Sequence, residues 1–220
     1  MPIDAAVLAE WSRRHDGYDP ERSLVLRTWL SLVHTLARPL VRRRISPDAV
    51  TAASVAAAVL AARAPRPAAV GLVAASVVLD GVDGAVALQS GRSTRWGTAV
   101  DHAGDRISDS MLAVALHRAG AERGWCIAAA CSSAVFEGAR ELLRMRAGAP
   151  LAELTVGDRP ARIAAGLWGL ATAPTAGAVA VTALCAVGML QLVRHADPHP
   201  PSADHAHFRR MSGRLRRTCA

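Results

Sequence analysis

Runs of Ala, Val and Leu at 51–62, 67–79, 124–136, 163–173 and 174–193 carry almost no charge and alternate with short polar segments rich in arginine. Stretches this apolar, with no polar face, predict membrane spans rather than surface helices of a soluble globule. Alanine is a weak membrane anchor, so these spans are expected to pack on one another through small residues that let backbones approach. The pattern between Glu21 and Arg38 is different. There Leu26, Leu30, Val33 and Leu36 recur at helical spacing, Arg27, Ser31, His34 and Arg38 take the other face, and Trp29 sits near the boundary. This predicts an amphipathic helix lying on a membrane surface, stopped at Pro39.

Punctuation along the rest of the chain sets the boundaries. Ser46-Pro47-Asp48 opens a first span that runs to about Ala62 and closes at Ala64-Pro65-Arg66-Pro67. A second span ends in Leu79-Asp80-Gly81-Val82-Asp83-Gly84-Ala85, a polar loop covers 89–96, and Gly97 opens a third helix bearing Asp101, Asp105 and Asp109. The fourth runs from about Arg123 to Arg146. The fifth begins at Asp158, read as its N-cap, with Pro160 in the first turn, and Pro174 separates it from the sixth. The fold class expected is therefore an all-α integral membrane protein of about six transmembrane helices, preceded by an interfacial amphipathic helix. Its parts are a polar extension 1–21, the interfacial helix 22–44, a six-helix membrane domain 45–196 and a basic tail 197–220.

Composition supports the membrane reading and removes some rivals. Hydrophobic residues make up 51% of 220 residues, which sets the chain apart from ordinary soluble domains. A formal charge of +8, carried entirely by arginine on the basic side, raises nucleic acid as a partner. The arginines fall at the edges of apolar segments, however: Arg42 to Arg44, Arg92 and Arg95, Arg140, Arg144 and Arg146, and Arg209 to Arg217. That placement follows the positive-inside rule, so no nucleic-acid role is expected, and the 89–96 and 147–157 loops should share the cytoplasmic side with both termini. Cys126, Cys131, Cys185 and Cys219 are scattered without a CxxC, so no disulfide framework or zinc site follows. Asp4, Glu10, Asp16 and Asp19 interrupt the first 20 residues, which do not read as a cleaved signal peptide.

Against this background the carboxylates stand out. Ionisable groups within membrane spans are costly and normally face the bundle interior, where they serve function. Asp80 and Asp83 lie at i, i+3 near the end of one helix, and Asp101 and Asp105 at i, i+4 near the start of the next. A hairpin turning at 89–96 would bring the two pairs face to face. Carboxylates that close stay ionised only beside positive charge, which hard divalent cations with oxygen ligands supply. Gly81, Gly84 and Gly97 remove side chains where a phosphate-bearing substrate, or merely a neighbouring helix, comes close.

The spacing Asp80-x2-Asp83-Gly84-x2-Ala87-x9-Gly97-x3-Asp101-x3-Asp105 resembles the signature of the CDP-alcohol phosphotransferase family, with seven fixed positions across residues 80–105. The family pattern carries Arg after the alanine, whereas this chain has Leu88; Arg92 or Arg95 in the following loop is a candidate to compensate. The resemblance implies a six-helix membrane enzyme, multi-pass in the cell membrane, with its active site open to the cytoplasm. It implies two divalent ions, Mg²⁺ or Mn²⁺, held by Asp80, Asp83 and Asp101, with Asp105 as metal neighbour and general base. The implied reaction passes a phospho-alcohol, commonly phosphatidyl, group from a CDP-alcohol lipid donor such as CDP-diacylglycerol to a hydroxyl acceptor, releasing CMP in phospholipid biosynthesis.

Further segments extend the likeness over about residues 45–200. Ser46-Pro47-Asp48-Ala49-Val50-Thr51 is similar to the family's Pro-Asn-x-x-Thr opening near the nucleotide, with Asp48 in place of Asn and keeping an N-cap role. Asp48, Thr51, Gly84, Ala87 and Gly97 are thus expected at the CDP moiety. Asp158-Arg159-Pro160-Ala161-Arg162 looks like the paired-Arg stretch of the phosphatidylinositol-phosphate synthase branch, which implies Arg159 and Arg162 at the phosphate of a phosphorylated polyol acceptor; a positive-inside anchor would use the same residues. Glu137 and Arg140 read as a structural pair or part of an acceptor pocket. A homodimer among membrane lipids is implied by the resemblance alone. Two rivals remain: a small ion or proton transporter using the same acids, and a degenerate scaffold for which Leu88 is the best support.

Overall fold

The computed structural model describes residues 23–147 and 155–196, together with Leu8, Ala9 and Ser12. Most of the expected polar extension, the basic tail and most of the 147–157 loop lie outside the described residues. Among the described residues from 23 on, seven helices follow in order: α1 (Leu24–Arg42), α2 (Pro47–Ala61), α3 (Arg66–Ser90), α4 (Arg95–Arg118), α5 (Arg123–Ala147), α6 (Arg159–Ala171) and α7 (Pro174–Ala196). Among the described residues there is no strand.

Local signals explain most of the boundaries. The Ser46 hydroxyl caps α2 by accepting from the Ala49 amide at 3.2 Å, and Pro47 fills the tolerated first position. Ser46, not Asp48, is therefore the cap, and Asp48 stands in the first turn. Thr94 caps α4 by accepting from the Gly97 amide at 2.9 Å. Helix α3 closes on Gly91, whose φ of 65° is left-handed, with Gly91 N–H donating to Leu88 O and Arg92 N–H to Ala87 O. This is a Schellman ending, which glycine adopts without a Cβ penalty.

Two expectations about α1 are corrected. The helix does not stop at Pro39 but runs on to Arg42. The bond that proline cannot donate would go to the Thr35 carbonyl, and both residues are exposed, so the lost bond leaves no buried orphan. Its buried stripe is Leu30, Val33, His34 and Ala37, while Leu36 is 42% exposed. His34, placed on the polar face by sequence, can turn inward because Gln89 Nε2 lies 3.0 Å from its Nδ1 and donates to its carbonyl at 2.9 Å. Burial and, secondarily, the charge of Arg38 hold the His34 pKa below its usual value, so the neutral ring can accept at Nδ1.

Helix α2 packs extensively on both α3 and α4, which touch each other little, and α7 covers α5 and α6. The main core joins Ala61, Ala69, Leu112, Leu116, Ala129, Ile163, Leu170 and Ala178. Close approach does the packing. A Cβ at Gly169 would fall on the Gly177 backbone, and one at Gly188 would sit 2.7 Å from Gly157 Cα. Arg66 Nε ties the start of α3 to the end of α6 by donating to Leu170 O at 2.6 Å. Helix α3 and the Pro174–Arg194 stretch of α7 are long and apolar enough to cross a membrane, and α2 is apolar but shorter.

Candidate active site

The hairpin expectation is met in a modified form. One carboxylate oxygen each from Asp80, Asp101 and Asp105 lies within 4.8 Å of the others, at the end of the bundle where α3 finishes and α4 begins. Asp83 stands apart from that trio: it is buried, and its Oδ2 accepts a 2.6 Å hydrogen bond from Thr51 on α2. Helix α2, wedged between α3 and α4, thereby fixes one acid while the trio converges beside it. Three hard oxygen donors at this spacing could hold a divalent ion, and their chemistry suits Mg²⁺ or Mn²⁺.

Arg159 reaches the trio from the first turn of α6. Its Nη1 is 2.5 Å from both Asp80 Oδ2 and Asp105 Oδ1, and its Nε is 3.3 Å from Asp109 Oδ1. The contact with Asp105 is an ion pair without hydrogen-bond geometry, so Asp105 Oδ1 remains a buried acceptor lacking a donor. A buried carboxylate oxygen that accepts no hydrogen bond, grouped with two other carboxylates, could also ligate a divalent cation.

Arg162 is placed differently. Only 2% exposed, it donates from Nη1 to Gly157 O at 2.6 Å and from Nη2 to Asp109 Oδ2 at 3.0 Å and Glu137 Oε1 at 2.8 Å. Its guanidinium lies 5.5 Å from the Phe136 ring centroid. Glu137 and Arg140 do not pair with each other. Arg140 Nη1 instead donates to Asp158 Oδ1 at 2.7 Å, and Asp158 also accepts from the amide and hydroxyl of Thr155. Its carboxylate is thus committed to the preceding loop and makes no side-chain cap for α6, although Asp158 does occupy the N-cap position.

Beside the trio opens a cavity of about 460 Å³, walled by α1, α2, α3 and the start of α4. Asp48, Thr51, Gly84, Ala87 and Gly97, the residues assigned from sequence to a nucleotide, all line it, as do Asp80, Asp83 and Asp101. The glycines now separate by role. A Cβ at Gly84 would meet nothing within 4 Å, so this glycine keeps the cavity open. At Gly81 a Cβ would lie 2.7 Å from the Trp29 ring, so that glycine seats α1.

Sequence reasoning missed the pairing of Arg159 with the aspartate stripe and of Arg162 with Asp109 and Glu137. The signal was available in charge complementarity: acids buried in an apolar bundle require cations, and α6 opens with two arginines one turn apart.

Residues 29–196 match the family model described as CDP-alcohol phosphatidyltransferase. The chain belongs to that family. A curated relative, the phosphatidylinositol phosphate synthase of Cutibacterium acnes, is 32% identical over 138 residues, covering 59% of this chain and 66% of the relative. The chain thus spans slightly under two thirds of that relative's length. Among solved structures it is similar to the phosphatidylinositol phosphate synthase of Mycobacterium tuberculosis in complex with manganese and citrate, at 25% identity and a TM-score of 0.61, covering 77% of this chain and 90% of that one. The same mycobacterial protein with CDP-DAG bound gives 28% identity and a TM-score of 0.55, over 74% and 90% of the respective chains.

Proposed function

We propose that this family member transfers a phosphatidyl group from CDP-diacylglycerol to a hydroxyl of a phosphorylated polyol, with release of CMP. The observation that carries the reading is the trio Asp80, Asp101 and Asp105 opening onto a cavity that also gathers Asp48, Thr51, Gly84, Ala87 and Gly97. The relatives support the donor and the metal: one solved structure holds CDP-DAG and another holds manganese.

Asp80, Asp83, Asp101 and Asp105 are the residues we assign to two divalent ions, Mg²⁺ or Mn²⁺. When bound, such ions clamp a pyrophosphate and stabilise charge on the departing CMP. The chain's own residues do the rest. The cavity walls hold the nucleotide, and Asp105 takes the proton of the acceptor hydroxyl as its oxygen bonds to the lipid-bearing phosphorus. The bond from that phosphorus to the bridging oxygen breaks, and CMP leaves with the electron pair. Arg159 and Arg162 carry the positive charge assigned to the acceptor's phosphate. Arg159 is the one beside the trio, and Arg162, whose Nη1 is held by Gly157 and whose Nη2 is held by Asp109 and Glu137, keeps that wall in place.

In the bilayer the reading places six spans in the cell membrane, α1 along the interface, the active site toward the cytoplasm, and two copies as a homodimer. Acids gathered at one end of the bundle suit phosphate chemistry at an interface; a transporter would spread them through the membrane depth. Purified protein given CDP-diacylglycerol, Mg²⁺ or Mn²⁺ and a panel of polyols and polyol phosphates should release CMP only with metal and a phosphorylated acceptor. Metal-dependent donor binding without CMP release from any acceptor would overturn the enzyme reading in favour of a scaffold, the alternative that Leu88 keeps open.

A further inference from the structure

The signature departs from its family at one position, and the structure shows what surrounds that departure. Leu88, where the pattern carries arginine, lines the cavity, and so does Arg92, four residues on and just past the end of α3. The cavity's other charge-bearing side chains are carboxyls, Asp48, Asp80, Asp83 and Asp101, and its one imidazole, His34, is bonded to Gln89. A nucleotide diphosphate brings negative charge into this wall of carboxylates, so cationic side chains are needed besides any metal.

Arg92 is fitted to that need. Its backbone is fixed by the Schellman ending of α3: Gly91 turns left-handed at φ 65°, and Arg92 N–H donates to Ala87 O at 3.1 Å. Its guanidinium has no hydrogen bond or ion pair among the described residues, whereas Arg159 and Arg162 are each held by several acids. A preset backbone carrying an uncommitted guanidinium at the rim of an acidic pocket is a recognition element for an anion.

We propose that Arg92, presented by the α3 cap, binds the phosphates of the nucleotide donor in place of the arginine that the signature carries at position 88. The inference rests on the CDP-alcohol reading above and assigns one specificity residue within it. Leu88 then contributes an apolar wall, and the cation is displaced from the last turn of α3 to the residue after its glycine cap, within the same cavity.

The test is binding of CDP-diacylglycerol to the full chain in detergent with Mn²⁺, read by titration calorimetry alongside thermal stability. Arg92→Ala should weaken donor binding about 10- to 100-fold, the scale of one charge-assisted contact, with unchanged Tm and an unchanged KM for the acceptor. Arg92→Lys should recover part of the loss. The double variant L88R/R92A should return to within a few-fold of wild type. Donor binding by Arg92→Ala equal to wild type overturns the proposal, and a double variant as weak as Arg92→Ala overturns the exchange of positions. If wild type itself binds no CDP-diacylglycerol, the functional reading fails instead.

Discussion

Glycine does opposite work at the two ends of this bundle. At the acidic end, Gly84 leaves open space beside Asp83, and a Cβ there would touch nothing within 4 Å. At the far end, where α6 hands over to α7, Gly169 meets Gly177 with no room for a methyl group. The first glycine gives up packing to admit a ligand, and the others give up side chains so that backbones can touch. In the bilayer placement proposed above, helices gain little from apolar burial against one another, since lipid is equally apolar, so close contact is where α6 and α7 find their stability. One end is thus organised around chemistry and the other around cohesion, and the two should respond to mutation in separable ways.

The largest separation is expected for Asp105→Asn. As the proposed base, Asp105 should be worth about 10²- to 10⁴-fold in turnover, seen as lost CMP release. Stability should move by under about 1 kcal/mol, because Arg159 keeps Asp80 and Asp109 as partners. Manganese binding followed by electron paramagnetic resonance should be largely retained. A variant that turns over normally removes Asp105 from the base role, and one that melts early breaks the division between the two ends.

Gly169→Ala is the mirror experiment. Its Cβ would land on Gly177, backbone against backbone, where no side chain can swing aside. Overpacking of this kind costs about 1–3 kcal/mol, so Tm in detergent should fall by several degrees. Turnover per folded molecule should stay near wild type at low temperature.

How much of this was legible beforehand follows the same division. The aspartates could be read because helical spacing alone puts Asp101, Asp105 and Asp109 on one face, and a polar loop at 89–96 announces the turn. The start of α2 is announced by Ser46-Pro47-Asp48, although the capping side chain is Ser46 and not Asp48, and Thr94 and Gly91 are local signals of the same kind that the spacing alone passes over. The contacts of Arg162 with Glu137, of Arg159 with Asp80 and of Gly169 with Gly177 join residues that only tertiary packing makes neighbours. Sequence marks those residues as unusual without saying which partner each will find. Asp158 shows the limit most clearly: its position before Pro160 reads as a side-chain cap, yet Arg140 on another helix and Thr155 on the preceding loop claim its carboxylate.

Gly84→Ala tests the open space directly. With nothing to strike in the unliganded protein, the added methyl should leave Tm unchanged or slightly raised, since alanine favours a helix interior by roughly 0.5–1 kcal/mol over glycine. The methyl points into the cavity that we assign to the nucleotide, so the donor KM should rise about tenfold. Equal donor affinity would place the nucleotide elsewhere along the cavity.

The smallest effect is expected where α1 meets the acidic end. Gln89 holds His34 through its ring nitrogen and its carbonyl, and Gly81 admits the Trp29 ring beside them. Gln89→Ala removes both bonds and should lower amide protection across Leu30–Ala37 by about 1 kcal/mol, leaving α7 protection unchanged. Acid should act on the same contact. Because the folded state lowers the His34 pKa, the neutral ring is favoured on folding, so stability from this site is present above the ordinary imidazole value of about 6.5 and is lost as pH falls below it. Protection of α1, corrected for intrinsic exchange, should therefore decline between pH 7 and pH 5 while α7 holds. Equal loss in α7 would mean that α1 is welded to the cohesive end and does not form a separate wall of the cavity.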